Sequence, residues 1–215
     1  MKRKLTIGIN VFIGVMTFGA WFFMSVLAEH GMELSAHGFS SLKFFTVLSN
    51  LFNGGVCLAY AFRLWKEKTF GSKQKTVKLL ATAAVGLTFL TVMGFLGPLY
   101  GYAKMFKGAN LWFHLLLPLL SFFSFMVLEQ EKKIPFRNTF YAVIPTALYE
   151  IGYVSNLLIN GIGTWPDTND IYGFMNWGIG PAAVIAVVIL LVTWLIAAAL
   201  YAGNRIFGKI VTNNA

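Results

Sequence analysis

A bundle of six transmembrane helices, all-α and with both termini cytoplasmic, is the fold this sequence predicts. Three observations predict it. Charged residues make up only 12% of the chain and hydrophobic ones 57%, where soluble domains carry about 25% charge. Six apolar runs each approach the roughly 20 residues that a helix needs to cross the hydrocarbon core. Lysine and arginine divide 14 to 3 between alternate loops, the bias that orients membrane helices.

The first run, Leu5–Ala28, follows the basic start MKRK. Its apolar core is longer than the roughly 7–15 residues of a secretory signal, so it reads as a span. The others are Leu42–Phe62, Leu79–Gly97, Leu111–Leu128, Thr139–Asn160 and Trp177–Tyr201. With the N-terminus inside, the inner segments hold Lys2, Arg3 and Lys4, then Arg63, Lys66, Lys68, Lys73, Lys75 and Lys78. Lys132, Lys133, Arg137, Arg205 and Lys209 follow, against only Lys43, Lys104 and Lys107 outside.

The formal net charge of +9 is therefore spread along one membrane face. That pattern suits anionic inner-leaflet lipid and excludes the single exposed patch of a nucleic-acid binder. Every loop is short, so residues 1–215 form one domain. Cys57 is the sole cysteine, which excludes a disulfide framework and a thiolate metal cluster. His30 and His37, with Glu29 and Glu33, flank the first outer loop at a spacing that fits no zinc motif. Nothing calls for a metal or another cofactor. The absence of an internal repeat argues against an inverted-repeat transporter.

The chemistry sits in the spans. The second carries Thr46, Asn50 and Asn53 at i, i+4 and i+7, one stripe of a helix, with Ser49 beside it. In the fourth, "NLWFHLLLPLLSFF", His114, Pro118 and Ser121 repeat that spacing. In the fifth, "YAVIPTALYEIGYVSNLLING", Tyr149, Tyr153, Asn156 and Asn160 make a third stripe, with Ser155 and Glu150 next to it. The topology brings Thr46, His114 and Asn156 to one layer near the outer leaflet. Unpartnered polar groups in hydrocarbon cost a few kcal/mol each, so these stripes should face one another.

Ser, Thr and Asn in spans commonly serve as glue between helices, at about 0.6 kcal/mol each. An ionisable residue there is a functional candidate by default. His114 and a hydroxyl at equal depth are the minimum parts of an activated nucleophile. Asn50 or Asn156 would orient the ring or donate to an oxyanion, and Tyr153 stands near them. A bare carboxylate at Glu150 would cost a few kcal/mol, so Glu150 is expected to be protonated, serving either packing or a proton path. The outer loop "GIGTWPDTNDIYGFMNWG" supplies either interfacial anchors or a cap over the cavity above His114.

"FFTVLSN", followed about sixty residues later by "HLLLP", resembles the androgen-induced-protein family of six-span membrane proteins, which includes the androgen-dependent TFPI-regulating protein and bacterial relatives. The resemblance implies a threonine hydrolase of fatty-acid esters of hydroxy fatty acids in a bacterial plasma membrane. Thr46 would be its nucleophile and His114 its base, with membrane lipid and a fatty-acyl ester as partners. Phe44, Phe45, Phe113, Gly54 and Gly55 are the expected lining of an acyl channel. The alternative is a small transporter or lipid-binding protein without covalent chemistry, in which Glu150 and His114 hold a proton or a ligand.

Overall fold

The computed structural model describes residues 2–27, 38–67, 71–130, 133–164 and 168–213. His30, His37, Glu29, Glu33, Trp165 and Asp167 lie outside them. Six helices are long and apolar enough to cross a membrane: α1 Lys2–Val26, α2 Phe45–Trp65, α3 Ser72–Tyr100, α4 Ala109–Leu128, α5 Phe136–Asn160 and α6 Ile179–Lys209. No strand occurs among the described residues. The chain is an all-α, multi-pass membrane protein, and six crossings return both termini to one side.

Alternating direction puts the start of α1 beside the end of α2, where Arg3 pairs with Glu67 at 3.1 Å and donates to Leu64 O at 2.5 Å. The helix α3 is the central post. It touches α2, α4, α5 and α6, and 56% of its apolar window is buried, against 11% for α5. Alanines 81, 83 and 84 along α3 are fully buried, and small side chains let neighbouring backbones approach. One apolar cluster joins α3, α4 and α6 around Leu79, Phe125 and Ala197. A second joins α1, α2 and α4 around Ile13, Met24, Val47, Phe113 and Leu117.

Glycines let α1 and α2 pack tightly. A Cβ on Gly54 would stand 2.8 Å from Thr17 Cβ, and one on Gly14 would run into Leu58. Gly54→Ala should therefore cost about 1–3 kcal/mol, as overpacking does. A lowered melting temperature in detergent checks this, and an unchanged one would mean that α1 and α2 part without penalty.

Prolines shape α3 and α4. Each lacks an N–H, and its ring crowds the carbonyl four residues earlier. The turns ahead of Pro98 and Pro118 are widened to π geometry over Val92–Leu96 and Trp112–Leu116, the usual response to such a conflict.

The sequence expected α3 to begin at Leu79, with Lys75 and Lys78 in a loop. Instead the helix starts at Ser72 and both lysines are fully buried. The lysine and arginine count reports which side of the membrane a residue lies on. Whether its ammonium is dry depends on acceptors from other helices.

Candidate functional site

His114 lies in the widened turn of α4, buried at 2% exposure. Its Nδ1 is 2.8 Å from Met105 O. A carbonyl only accepts, so Nδ1 carries the hydrogen in this arrangement and the neutral ring keeps its lone pair on Nε2.

The same turn leaves a carbonyl without a helical donor. The Leu117 N–H bonds to Trp112 O, and Pro118 has none to give, so Phe113 O must look elsewhere. Asn50 of α2 supplies the donor. Its Nδ2 bonds to Phe113 O at 3.2 Å and to Thr46 O at 2.8 Å. One carboxamide thus ties the backbone of Thr46 to the residue before His114. Both partners are carbonyls, which settles which end of the amide is nitrogen. The two N–H groups are then committed, so Asn50 is a positioning group here and not the oxyanion donor the sequence suggested. Its Oδ1 is buried without a hydrogen-bond partner.

Thr46 itself is partly exposed. Val47 beside it is buried in the cluster with Phe113, and no hydrogen bond joins Thr46 to His114 among the described residues. Ser49 turns toward α3, where its hydroxyl is 3.0 Å from Thr88 Oγ1. Asn53 donates to Ser121 at 2.8 Å, a second polar link from α2 to α4. Asn110, one turn before His114, is also buried with an unpartnered Oδ1. Its i, i+4 spacing to the histidine was visible in the sequence and passed over.

Beyond Tyr149, the polar stripe of α5 goes elsewhere. Tyr153 donates to Asp170, and Asn156 Nδ2 donates to Asn169 Oδ1 at 3.1 Å, so both engage the loop after α5 and not the Thr46–His114 junction. Glu150 is half-buried with Oε1 unpartnered. One turn away, Thr146 meets Thr193 of α6 at 3.4 Å.

That loop closes over the start of α2. Asp170 accepts from the N–H groups of Phe174 and Met175 at 3.0 and 2.9 Å. Tyr172 then receives the first helical N–H of α2, that of Phe45, at 2.9 Å, while Tyr149 donates to Lys43 O at 2.6 Å. Burial pushes the Tyr172 phenol up, so it stays a neutral hydroxyl. The clamp sits one residue from Thr46. Trp177 of the same loop is 60% exposed, as an interfacial anchor would be.

An apolar cleft of about 300 Å³ opens between α2, α3 and α5, lined by Phe45, Leu48, Ser49, Phe52, Ala84 and Leu148, among others. Of the expected channel residues, only Phe45 lines this cleft. Phe113 is fully buried in the α1–α2–α4 cluster, and Gly54 packs on Thr17.

A second polar centre lies inside the bundle near the termini, and it escaped the sequence reading. Lys78 Nζ donates to Asn10 Oδ1 at 2.7 Å and Cys57 Sγ at 2.8 Å, and pairs with Glu129 Oε1 at 3.4 Å. Glu129 Oε1 also accepts from Ser124 at 2.7 Å and Asn10 at 3.1 Å. Lys75 and Asn204 both donate to Glu129 O. Every one of these side chains is buried. In the sequence Asn10 stands inside the first apolar run, Lys78 in the inner loop before the third and Glu129 just past the fourth. Nothing local told that they meet.

No family model, curated protein or solved structure matches this chain.

Proposed function

We propose that this protein is an intramembrane hydrolase of fatty-acyl esters, with Thr46 as nucleophile and His114 as its base. The observation that carries the reading is the Asn50 carboxamide bound to both Thr46 O and Phe113 O. It holds the hydroxyl-bearing turn of α2 against the imidazole-bearing turn of α4. The Met105 carbonyl orients the ring and leaves Nε2 to accept a proton.

In the reaction, Thr46 Oγ attacks the ester carbonyl carbon while Nε2 takes the hydroxyl proton. The C–O bond to the alcohol then breaks, and the imidazolium returns the proton to the departing oxygen. The acyl-threonine is cleared by water, deprotonated by the same nitrogen, which releases the fatty acid and restores the hydroxyl. The buried Oδ1 of Asn50 is an acceptor that a substrate hydroxyl or the imidazolium would satisfy. An acyl chain suits the apolar cleft beside Phe45 and Ser49.

The alternative is a transporter or lipid-binding protein without covalent chemistry. Its support is Glu150, a half-buried carboxyl with an unpartnered oxygen. A fluorophosphonate probe for serine and threonine hydrolases separates the two. Labelling of the wild type in membranes, lost in Thr46→Ala, is expected. A folded wild type that the probe ignores, or a Thr46→Ala variant labelled as strongly, removes the hydrolase reading.

A further inference from the structure

We propose that Cys57 and Lys78 form an oxidative modification site, in which dioxygen joins them through a single oxygen atom into an Nζ–O–Sγ bridge. Nζ and Sγ stand 2.8 Å apart. That is the length of an ordinary N–H···O bond, although sulfur is the larger atom, and it leaves room for one bridging oxygen after a small displacement. Both side chains are fully buried, and Cys57 is the only cysteine in the chain, so no second thiol of the chain can divert it into a disulfide. Dioxygen is small and apolar and dissolves well in hydrocarbon. Burial inside the bundle therefore bars charged and bulky reagents without barring this one.

The neighbouring carboxylate completes the chemistry. An ammonium has no lone pair with which to bond oxygen, so Lys78 must lose a proton. Glu129 Oε1 is 3.4 Å from Nζ, and Glu129 Oε2 is buried with no partner. One thiol, one ammonium, one carboxylate and one dioxygen then give the bridge, one neutral carboxylic acid and one water. The S–H bond, two N–H bonds and the O–O bond break; S–O and N–O bonds form, with two O–H bonds in the water and one on the Glu129 acid. Sulfur and nitrogen each lose two electrons, and dioxygen takes up all four. One N–H proton passes to Glu129, and the other two hydrogens leave in the water. The ion pair is replaced by neutral groups, which a low-dielectric interior favours. Two equivalents of a dithiol supply the four electrons that reverse it. The bridge ties α2 to α3 and is independent of the hydrolase assignment.

The test is peptide mapping of the full-length protein in detergent after exposure to air, with thiol alkylation under denaturing conditions. The expected product is the Cys57 peptide joined to the Lys78 peptide, heavier than their sum by one oxygen less two hydrogens. The bridge oxygen should derive from isotopically labelled dioxygen and not from labelled water, and dithiothreitol should separate the two peptides. Lys78→Arg keeps the charge but lacks the primary amine, and Cys57→Ala lacks the sulfur; neither should give the linked peptide. Thr46→Ala should give it as the wild type does. Complete alkylation of Cys57 in the air-exposed wild type overturns the proposal, and so does an oxidised Cys57 peptide with no attachment to Lys78.

Discussion

Thr46→Ala, His114→Ala and the double variant are each expected to reduce fatty-acyl ester hydrolysis to one shared floor, about 10²–10⁴-fold below wild type, the usual contribution of a positioned base. The losses should not add, because the hydroxyl and the imidazole act in a single proton-coupled attack. Removing either one removes the step. Thr46→Ser keeps the oxygen and deletes only a methyl, so it should retain part of the activity. The measurement is turnover of a long-chain acyl ester by each variant, with folding checked by circular dichroism in detergent. Losses that multiply would mean separate roles. Substantial turnover by folded Thr46→Ala would move the assignment to a transporter or lipid-binding protein.

Glu129→Ala should lower the unfolding free energy by about 3–5 kcal/mol, the cost of removing one partner from a buried ion pair. The magnitude follows from what remains. Lys78 loses its carboxylate while staying fully buried, and Asn10 and Ser124 lose the acceptor they share. Glu129→Gln should fall in between, since the amide keeps an acceptor oxygen but no charge. The double variant Glu129→Met with Lys78→Met should be more stable than either single change, because two neutral side chains leave no uncompensated charge. Reversible unfolding in mixed micelles reports each of these variants. A Glu129→Ala protein as stable as wild type would mean that Lys78 is already solvated or neutral.

Much of the architecture was legible in the chain. Six apolar runs and the placement of lysine and arginine foretold six spans, and helix ends moved by a turn or two where capping and packing decide them. The stripe of Thr46, Asn50 and Asn53 was legible too, since a fixed helical period puts those side chains on one face. So was the proline four residues after His114. Its consequence for the carbonyl of Phe113, and hence the partner of Asn50, needed the helices assembled. The third stripe failed as a guide for the same reason. Tyr153 and Asn156 have the right depth, but the loop after α5 folds back and takes them.

The sequence by itself determined the number of crossings, the alternation of loops across the membrane and the residue types available inside it. These follow from hydropathy and helical periodicity, which are properties of neighbours along the chain. Only the tertiary structure decided which polar groups meet. Lys75 and Lys78 looked like loop charges and are instead the driest cations among the described residues, because Asn10, Cys57 and Glu129 bring acceptors to them from α1, α2 and the end of α4, while Ser124 and Asn204 donate in turn to Glu129. A buried charge is tolerated only where acceptors surround it, and those acceptors lie dozens of residues away along the chain.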